Sequence, residues 1–537
     1  MKQLWQALMM VRRCDSGSFW RRLLYVVLQS VLPLVNLYIL KLLIDTVEAG
    51  VRGMAQPSAF VPYLLAMCAV FLVNRVVSAL NTVNNDVLSQ RLIDYMSDIM
   101  QRQAATVDMA SYDLPEYHDI FHRAQQESVS RPIQIMNSFM ALFGSMVSIV
   151  GVMTMLITAT WWVVVVMVVA VVPSFLVRLY KSNSIYNFRR TNTQLYRRTA
   201  YYGSLLTSRQ SAAEMRAFRL ANYFRRLFVE SRHKLSSRLL AISRRLGVMD
   251  VACSVVEALA MLLIVWLLAA QAFTGAITIG SFVMLFEAFR RGQGYLSSLV
   301  GAVASLNDNR LFVSNLFEFL DLKPTILTPA NPEPVPDRIE SVEFRDVTFR
   351  YPDMDHDVLS HYSLTVRVGE PCRIEGRNGY GKSTLVKLLL RLYDPQEGCV
   401  LVNGIDIRRF DLAQWRSHVG VVFQDFVRYA CTVEENLAFG NGERKVESGM
   451  LKEGLLDFVG RLPHGGSTLL GRVFDGGSEL SMGQWQRIAI ARMLASDAPV
   501  MVMDEPMAWM DAATRRLFLD TVESIAKDRI VIMINHV

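Results

Sequence analysis

At 537 residues the chain is too long for a single hydrophobic core, so two or more domains are expected. Hydrophobic residues make up 52% of it and charged residues 20%, which argues against an ordinary soluble protein and predicts apolar surface that faces lipid. The net charge of +7 is compatible with nucleic-acid binding, but the basic residues are concentrated between apolar runs, which favours a role in membrane topology.

The first 320 residues alternate long apolar runs with basic polar segments. At the start, Leu4, Leu8 and Val11 recur at helical spacing, which predicts an interfacial helix on the membrane surface over residues 1–21. Residues 22–320 are predicted to form six transmembrane helices, since a span needs about 20 apolar residues. The uncharged runs that carry these helices are Leu23–Leu40, Gly53–Asn74, Pro132–Val177, which has room for two spans and a tight turn near Thr158–Trp162, and Ala258–Phe286, which joins the fifth and sixth spans.

The last two predicted spans contain charged residues. Asp250 and Glu257 lie seven residues apart on one helix face, and Glu287 precedes Arg290 and Arg291 by three and four residues. Ionisable side chains inside a membrane usually face a bundle interior or a water-filled path. Two interpretations remain open: a polar patch on such a path, or helices that extend beyond the bilayer into the cytosol.

The positive charges predict the orientation of the spans. Arg178–Arg245 contains 16 Lys/Arg and only two acidic residues, Glu214 and Glu230. Because cytoplasmic segments carry excess positive charge, the long segments near 83–131 and 178–246 are expected in the cytosol with the N-terminus. We therefore expect a multi-pass protein of a bacterial inner membrane, and no nucleic acid among its partners.

A proline-rich linker over 321–338 separates the part of the sequence with long apolar runs from a part with a different pattern. From 339 to 537 the pattern is that of an α/β domain with short buried strands. Ile339–Arg350 and Leu364–Glu375 are predicted as strands of an antiparallel edge. Buried parallel strands are predicted at Val421–Phe423, Val500–Met503 and Ile530–Ile534.

A glycine-rich turn, Gly376–Thr384, follows the strand Pro371–Glu375 and opens a helical run. Its sequence GRNGYGKST matches the phosphate-binding pattern G-x-x-x-x-G-K-[ST] in the required strand–loop–helix context. The glycines allow successive N–H groups to point at phosphate oxygens, and the helix N-terminus adds a positive dipole end. Lys382 is suited to the β- and γ-phosphates and Ser383 to Mg²⁺. The alternative is a turn that only connects strand to helix.

A magnesium-binding carboxylate should then end a nearby buried strand. The apolar run Pro499–Met503 leads directly into Asp504, which meets that requirement. Glu505 follows, where it could orient or deprotonate an attacking water. An Asp-Glu pair after an apolar strand is weak evidence alone, but it is strong when it follows a complete phosphate loop.

Between these two motifs stands Leu480-Ser481-Met482-Gly483-Gln484, which resembles the LSGGQ signature of the ATP-binding cassette (ABC) family. Six membrane helices before one cassette resemble an exporter-type half-transporter of that family. The Leu114–Asp119 stretch looks like the family's first intracellular loop, and Glu214–Phe218 looks like its second. The implied fold is an α-helical membrane domain joined to an α/β P-loop NTPase cassette with a helical subdomain.

The resemblance implies a role for each motif residue. Tyr351 would stack on adenine, Gln424 would sense the metal, and His536 would contact the γ-phosphate. Ser481, Gly483 and Gln484 would reach the nucleotide on a partner cassette, so a homodimer or a heterodimer with a similar half-transporter is implied. Glu505, His536 and Gln424 would be catalytic, and Ser383, Gln424 and Asp504 would hold Mg²⁺. The phosphate loop would bind ATP through Gly376, Arg377, Asn378, Gly379, Tyr380, Gly381, Lys382, Ser383 and Thr384.

Three departures from the family pattern bear on activity. Met482 replaces the first glycine of the signature, and Pro506–Asp511 keeps little of the usual segment after the glutamate. The chain also ends at Val537, directly after His536, so the resemblance implies a shortened cassette. The function expected is ATP-dependent export of a peptide, a lipid or an amphipathic small molecule. The alternative is a regulatory or gating membrane protein that binds ATP but hydrolyses it weakly.

Overall fold

A computed structural model describes residues 2–53, 56, 58–114, 117, 120, 121, 124, 131–376, 380–441 and 454–536. The described chain divides into two compact units. The first comprises Met1–Ala104 and Ile120–Asp321, and the second comprises Ala105–Asp119 and Leu322–Val537.

The first unit is helical. Its helices are α1 (Lys2–Cys14), α2 (Ser16–Val51), α3 (Val61–Thr106, which ends in the second unit), α5 (Arg131–Thr191), α6 (Thr193–Thr207), α7 (Arg209–Ala217), α8 (Ala221–Phe273) and α9 (Ile279–Leu320). A buried apolar cluster joins α2, α5, α8 and α9, with Phe289 of α9 among its fully buried members. The predicted helix near the N-terminus is present as α1, and Asp15 caps the helix that follows it.

Five described segments are long and apolar enough to cross a membrane. They are Ser16–Val51, Val61–Thr106, Arg131–Ile157, Trp162–Ile185 and Ala221–Phe273. The sixth predicted span lies in α9, which is a continuous 42-residue helix but is not among them. Glu287, Arg290 and Arg291 interrupt its apolar stretch, so the count of six is supported only approximately.

The structure assigns the residues of the predicted turn near Thr158–Trp162 to helix α5, but the packing around Gly292 of α9 shows that α5 is not straight. A Cβ atom on Gly292 would lie 2.5 Å from Met167 Sδ and 3.1 Å from Val152 Cγ1. In a straight helix, fifteen residues would separate Val152 from Met167 by about 22 Å. The chain therefore reverses between them, and the two spans within α5 lie side by side.

The charged residues predicted in the last two spans have local partners. Glu287 accepts hydrogen bonds from Arg290 Nη2 at 2.6 Å and from Arg291 Nε at 3.0 Å. Glu257 accepts one from Ser174 Oγ at 2.6 Å, and Asp250 lies 3.9 Å from Lys181. These contacts give each of the predicted charges a partner. They are compatible with both interpretations, a polar patch on a path through the membrane and helices that extend beyond the bilayer into the cytosol.

The second unit contains eight described strands and six described α-helices. Its strands are β1 (Ser341–Phe349), β2 (Leu359–Arg367), β3 (Cys372–Gly376), β4 (Glu397–Val402), β5 (Ile405–Asp406), β6 (Val419–Val422), β7 (Val500–Asp504) and β8 (Ile530–His536). Its helices are α4 (Met109–Asp113), α10 (Lys382–Leu389), α11 (Leu412–Ser417), α12 (Val433–Ala438), α13 (Met482–Leu494) and α14 (Ala512–Ala526).

Two sheets organise these strands. One is antiparallel in the order β2-β1-β4-β5, and the other is parallel in the order β3-β8-β7-β6. The predicted buried parallel strands are confirmed, with β7 buried along its whole length. The single predicted strand Leu364–Glu375 is wrong: a turn at Gly369, whose φ is +89°, ends β2 in one sheet before β3 begins in the other.

The short helix α4 belongs to the second unit although it follows a membrane helix in sequence. Asp113 at its end accepts a hydrogen bond from the Tyr393 hydroxyl, and Ala110 packs against the core of the antiparallel sheet. Asp108 accepts hydrogen bonds from the main chain and the hydroxyl of Thr325. The helix ends before Leu114, whereas Pro115, Glu116, His118 and Asp119 of the stretch that resembles the family's first intracellular loop lie outside the described residues.

Candidate functional site

The phosphate-loop motif joins β3 to α10 as its sequence predicts. Gly381 is the residue before α10 and has a left-handed backbone with φ of +75°. A Cβ atom there would lie 2.8 Å from Leu359 Cδ2 and 3.0 Å from the Val358 carbonyl oxygen. Glycine is therefore required at 381 by both backbone conformation and space. The predicted ligands Arg377, Asn378 and Gly379 lie outside the described residues.

Lys382 is the first residue of α10, and its side chain is only 7% exposed. Its ammonium donates hydrogen bonds to the carbonyl oxygens of Gly376 and, at 3.1 Å, of Asn535. A buried cation needs such partners because desolvation penalises the charge. The carbonyl groups therefore hold the ammonium at the helix N-terminus, where a helix dipole favours anions.

The remaining motif residues differ in their surroundings. Ser383 and Tyr380 are exposed, whereas Thr384 is buried and lies 3.1 Å from the Tyr351 hydroxyl. Tyr351 packs edge-on against Phe349 and Tyr393, and the Lys387 ammonium lies 4.9 Å from its ring centroid. The predicted adenine-stacking residue thus belongs to an aromatic cluster tied directly to the phosphate loop.

That cluster also contacts α4. Tyr393 is buried, and its hydroxyl donates to Asp113. Burial first, and then this hydrogen bond, raises the pKa of Tyr393, so the phenol stays a proton donor. A chain of contacts therefore leads from Asp113 through Tyr393 and Tyr351 to Thr384.

The parallel sheet brings the carboxylate motif to the same edge as the phosphate loop. Gly376 of β3 pairs with His536 of β8, and Asp504 of β7 pairs with Ile534 on the other side of β8. Two strand spacings of about 4.8 Å each separate β3 from β7. Asp504 is 4% exposed, as expected for a carboxylate that would bind a metal ion. Only the main chain of His536 is described, so its predicted contact with phosphate stays a prediction.

Glu505 is held by three separate segments of the cassette. Its N–H donates to the Ile534 carbonyl at 2.9 Å, and its own carbonyl accepts from Gln486 Nε2 at 3.0 Å. Gln424, which follows β6, donates from Nε2 to Glu505 Oε1 at 2.7 Å. The backbone of Glu505 is left-handed with φ of +51°. The predicted catalytic pair Gln424 and Glu505 is therefore brought into direct contact.

The signature residues form the N-terminus of α13. Ser481 and Gln484 make a reciprocal capping box: the Ser481 hydroxyl accepts from Gln484 N–H, and the Gln484 side chain accepts from Ser481 N–H at 2.8 Å. Gly483 lies against the segment after Glu505, where a Cβ atom would come within 2.5 Å of the Trp509 carbonyl oxygen. Glycine at 483 is thus required by close backbone packing.

Two large apolar residues are exposed beside this helix start. Met482 is 39% exposed and Trp509 is 59% exposed. Together with Gln424 and Glu505 they line a cleft of about 600 Å³. The start of the signature helix and the segment after Glu505 therefore each present an apolar side chain next to the predicted catalytic carboxylate.

Sequence reasoning did not assign a role to Gln486. This side chain is 3% exposed and joins the Glu505 carbonyl to the Trp509 N–H, which donates to Gln486 Oε1 at 3.1 Å. Its neighbours on α13 are the buried residues Trp485, Ile488, Ala489 and Ile490. A buried polar residue on an otherwise apolar helix face usually has hydrogen-bond partners to satisfy. That pattern is the signal that could have identified it.

Comparison with protein families and curated proteins gives consistent matches. The family model described as ABC transporter matches residues 359–508. The subtilin transport ATP-binding protein SpaT of Bacillus subtilis is 25% identical over all of this chain and 88% of its own length. The nisin transport ATP-binding protein NisT of Lactococcus lactis is 24% identical over 94% of this chain and 84% of its own length.

Two further matches extend the comparison to other transported molecules and to the fold. An ATP-dependent lipid A-core flippase of Desulfotalea psychrophila is 28% identical over 70% of this chain and 65% of its own length. A solved structure, a bacterial Atm1-family ABC exporter with ATP bound, superposes with a TM-score of 0.79 at 22% identity. That superposition covers 98% of this chain and 91% of the other. It establishes that the two chains share a fold.

Proposed function

Because this chain belongs to the ABC transporters and joins a helical membrane domain to one ATPase cassette, we propose that it exports an amphipathic substrate by ATP-driven alternation of a dimer. The observation that carries this proposal is the convergence of the phosphate loop, Asp504 and Glu505 at one edge of the parallel sheet. That convergence supports ATP binding and hydrolysis in a chain whose apolar helices are long enough to cross a membrane.

The residues present fit a nucleotide with its metal ion. Gly381 leaves space that a Cβ atom would fill, Lys382 places an ammonium at a helix N-terminus, and Asp504 is a buried carboxylate. We propose that Ser383 and Asp504 hold Mg²⁺ together with Gln424, and that the loop main chain holds the phosphates. Mg²⁺ in such a site neutralises the charge that develops on the phosphates.

Hydrolysis needs a base at a fixed position beside the γ-phosphate. We assign that role to Glu505, since Gln424 orients its carboxylate through the 2.7 Å hydrogen bond. Gln486 and Ile534 fix its main chain on both sides. Glu505 would accept the proton of the attacking water while these contacts hold it in place.

The second half of the site is proposed to come from another copy of this chain or from a similar half-transporter. Ser481 caps a helix N-terminus, which is a ready anion site. We propose that it meets the γ-phosphate held by the partner cassette. ATP binding would then stabilise the closed dimer, and the difference in stability between two states would drive the membrane helices.

The names of the relatives support an amphipathic cargo. SpaT and NisT are described as transport proteins for subtilin and nisin, and another relative as a flippase for lipid A-core. We propose a peptide, a lipid or an amphipathic small molecule as the substrate of this chain. The proposed location is a bacterial inner membrane, with the cassette and the N-terminus in the cytosol.

Purified full-length protein in lipid nanodiscs provides the test. We expect magnesium-dependent ATP hydrolysis that increases when an amphipathic peptide or lipid substrate is added. Inside-out vesicles should accumulate the same compound only when ATP is present outside. ATP hydrolysis that no such compound alters, together with no uptake, would contradict the export proposal.

Met482 and Trp509 favour a second candidate, a membrane protein that binds ATP and hydrolyses it weakly. Both side chains are exposed apolar groups beside the signature, and Met482 stands where the signature it resembles has glycine. A protein of this kind would bind ATP with ordinary affinity in the same nanodiscs. Its magnesium-dependent hydrolysis would be near background and unchanged by every added compound.

A further inference from the structure

Arg22 in α2 is a buried cation whose hydrogen-bonding capacity is only partly used. Its side chain is 92% buried, and Nη2 donates to Asn137 Oδ1 of α5 at 2.6 Å. Nε and Nη1 are also buried, and neither has a hydrogen-bond partner in the described part of the chain. Unpaired buried charges are costly, so such groups usually bind water, an ion or a ligand.

No carboxylate is paired with Arg22 in the part of the chain that the structure describes. Asp15, two helical turns earlier on the same face, caps α2 through Ser18 and pairs with Arg91 of α3. On the facing helix Asp86 is exposed, and residues 132–180 of α5 contain no acidic residue. Within the described residues, the charge of Arg22 therefore lacks an ion pair.

Helix α3, which is hydrogen-bonded to α2 before and after Arg22 in sequence, offers unused acceptors. Ser18, Arg22 and Gln29 lie on one stripe of α2, and hydrogen bonds on both sides of Arg22 join this stripe to α3. Asn84 Nδ2 donates to the Ser18 carbonyl at 2.9 Å, and Asn81 Nδ2 donates to Gln29 Oε1 at 3.1 Å.

On the same face of α3, the Oδ1 atoms of Asn81 and Asn85 are buried without a partner among the described residues. Arg22, which donates to Asn137 of α5, thus keeps unpaired donors on the stretch of α2 that is hydrogen-bonded to α3, and α3 carries unpaired acceptors on two asparagines. A ligand that carries both an oxyanion and hydroxyl groups would satisfy both sets at once.

The position of Arg22 along α2 indicates the depth of this site. Arg22 is the last charged residue before the 18-residue uncharged run Leu23–Leu40. A residue at this boundary lies at the level of lipid headgroups when the run crosses the bilayer. On the proposed topology this is the cytosolic leaflet, where basic pockets between helices bind anionic headgroups.

We propose that Arg22, Asn81 and Asn85 form a binding site for a hydroxyl-bearing phosphate, such as the phosphoglycerol headgroup of an anionic lipid. The guanidinium donates to the phosphate oxygens, and the hydroxyl groups of the ligand donate to the asparagine carbonyls. A free phosphate ion has the same chemistry and is the other possible source of the ligand. The site rests on the proposed membrane location of α2 and not on ATP hydrolysis.

Native mass spectrometry of the purified full-length protein tests the site with phosphatidylglycerol as the probe. Arg22→Gln removes the guanidinium and should weaken phosphatidylglycerol binding about tenfold, the effect of losing one charge-assisted contact. Arg21→Gln is the matched control, because Arg21 is adjacent in sequence but exposed. It should leave phosphatidylglycerol binding nearly unchanged.

The outcomes distinguish a specific binding site from nonspecific electrostatic attraction of the lipid. Equal losses in Arg22→Gln and Arg21→Gln would show nonspecific surface electrostatics and overturn the proposal, and so would unchanged binding in Arg22→Gln. If Arg22→Gln does not fold, Arg22→Lys keeps the charge and should still bind severalfold more weakly than the wild type. Wild-type affinity in Arg22→Lys would then count against the site.

Two further arms identify the ligand. Phosphatidylmethanol has the same charge without the headgroup hydroxyl groups and should bind more weakly than phosphatidylglycerol. Equal affinities for phosphatidylmethanol and phosphatidylglycerol would show that the asparagines do not bind the headgroup. Arg22-dependent binding of inorganic phosphate that is tighter than the binding of phosphatidylglycerol would assign the site to the free ion. Because binding is measured directly, the result stands whether or not the protein transports or hydrolyses ATP.

Discussion

The two halves of the candidate ATP site are built differently. The phosphate-loop half is held by main-chain geometry, with Gly381 in a left-handed conformation and the Lys382 ammonium on two carbonyl oxygens. The signature half keeps its helix cap but exposes Met482 and Trp509 beside Glu505. The difference favours the proposal that the phosphate-loop half captures nucleotide, and it predicts that the exposed side chains of Met482 and Trp509 affect closure against a partner cassette.

The largest effect should come from removing the proposed base in the intact half. Glu505→Gln keeps the size of the side chain but cannot accept a proton, so hydrolysis should fall by about 10²- to 10⁴-fold. ATP affinity should persist, and the variant should retain bound ATP. Phosphate release and retained nucleotide measure the two effects. Glu523→Gln on the exposed face of α14 is the control. A wild-type rate of hydrolysis in Glu505→Gln would show that Glu505 is not the base.

Lys382→Ala tests the capture of nucleotide directly. Loss of the ammonium removes a charge-assisted contact to phosphate, so ATP should bind about 10- to 100-fold more weakly. Equilibrium binding of a fluorescent ATP analogue to the purified protein measures the change. The exposed Lys527→Ala provides the matched loss of one positive charge. Undiminished affinity in Lys382→Ala would show that this half does not capture phosphate.

Ser481→Ala tests the signature half, and the same substitution at a similar helix cap elsewhere in the cassette is the control. Ser481 and Thr432 both form capping boxes, at α13 and α12. Replacing either with Ala should lower the free energy of unfolding by about 1 kcal/mol. Only Ser481→Ala should also lower ATP hydrolysis, by about tenfold, if its hydroxyl reaches the partner's phosphate. Equal hydrolysis in the two variants would restrict Ser481 to a structural role.

The smallest expected effect is an increase in the rate of ATP hydrolysis. Met482→Gly restores the family residue and removes the exposed side chain beside the cleft, so hydrolysis should rise severalfold. Glycine within a helix costs up to about 1 kcal/mol of stability, less at its first position. The ATPase rate at saturating ATP measures the gain, and Met507→Leu controls for a change of a methionine in the same region. An unchanged rate would mean that Met482 does not limit closure.

Much of the fold follows from local sequence patterns. Uncharged runs of span length give helices, and the glycine-rich turn after a short apolar strand gives the phosphate loop, because each depends on neighbouring residues alone. The separation of strands β2 and β3 at Gly369 could not be predicted from neighbouring residues alone. Leu364–Glu375 has strand-forming residues throughout, and only tertiary pairing places β2 and β3 in different sheets.

The contacts missed by sequence reasoning join residues far apart in the chain. Asp113 and Tyr393 are 280 residues apart, so no periodicity relates them. Gln486 binds the Glu505 main chain, which becomes possible only after α13 packs beside β7. Arg22 is evident in sequence as the charge before an apolar run, but its contact with Asn137 depends on the packing of α5 beside α2. In each case the missing information is the packing of whole elements.

The left-handed backbone of Glu505 has a consequence for how this position can evolve. A residue other than glycine at a φ of +51° carries about 1–2 kcal/mol of conformational strain. Glycine would relieve that strain and stabilise the folded cassette, but it would remove the carboxylate. Selection for stability and selection for turnover therefore oppose each other at this one residue. A lineage released from the need to hydrolyse ATP would be expected to lose the glutamate early.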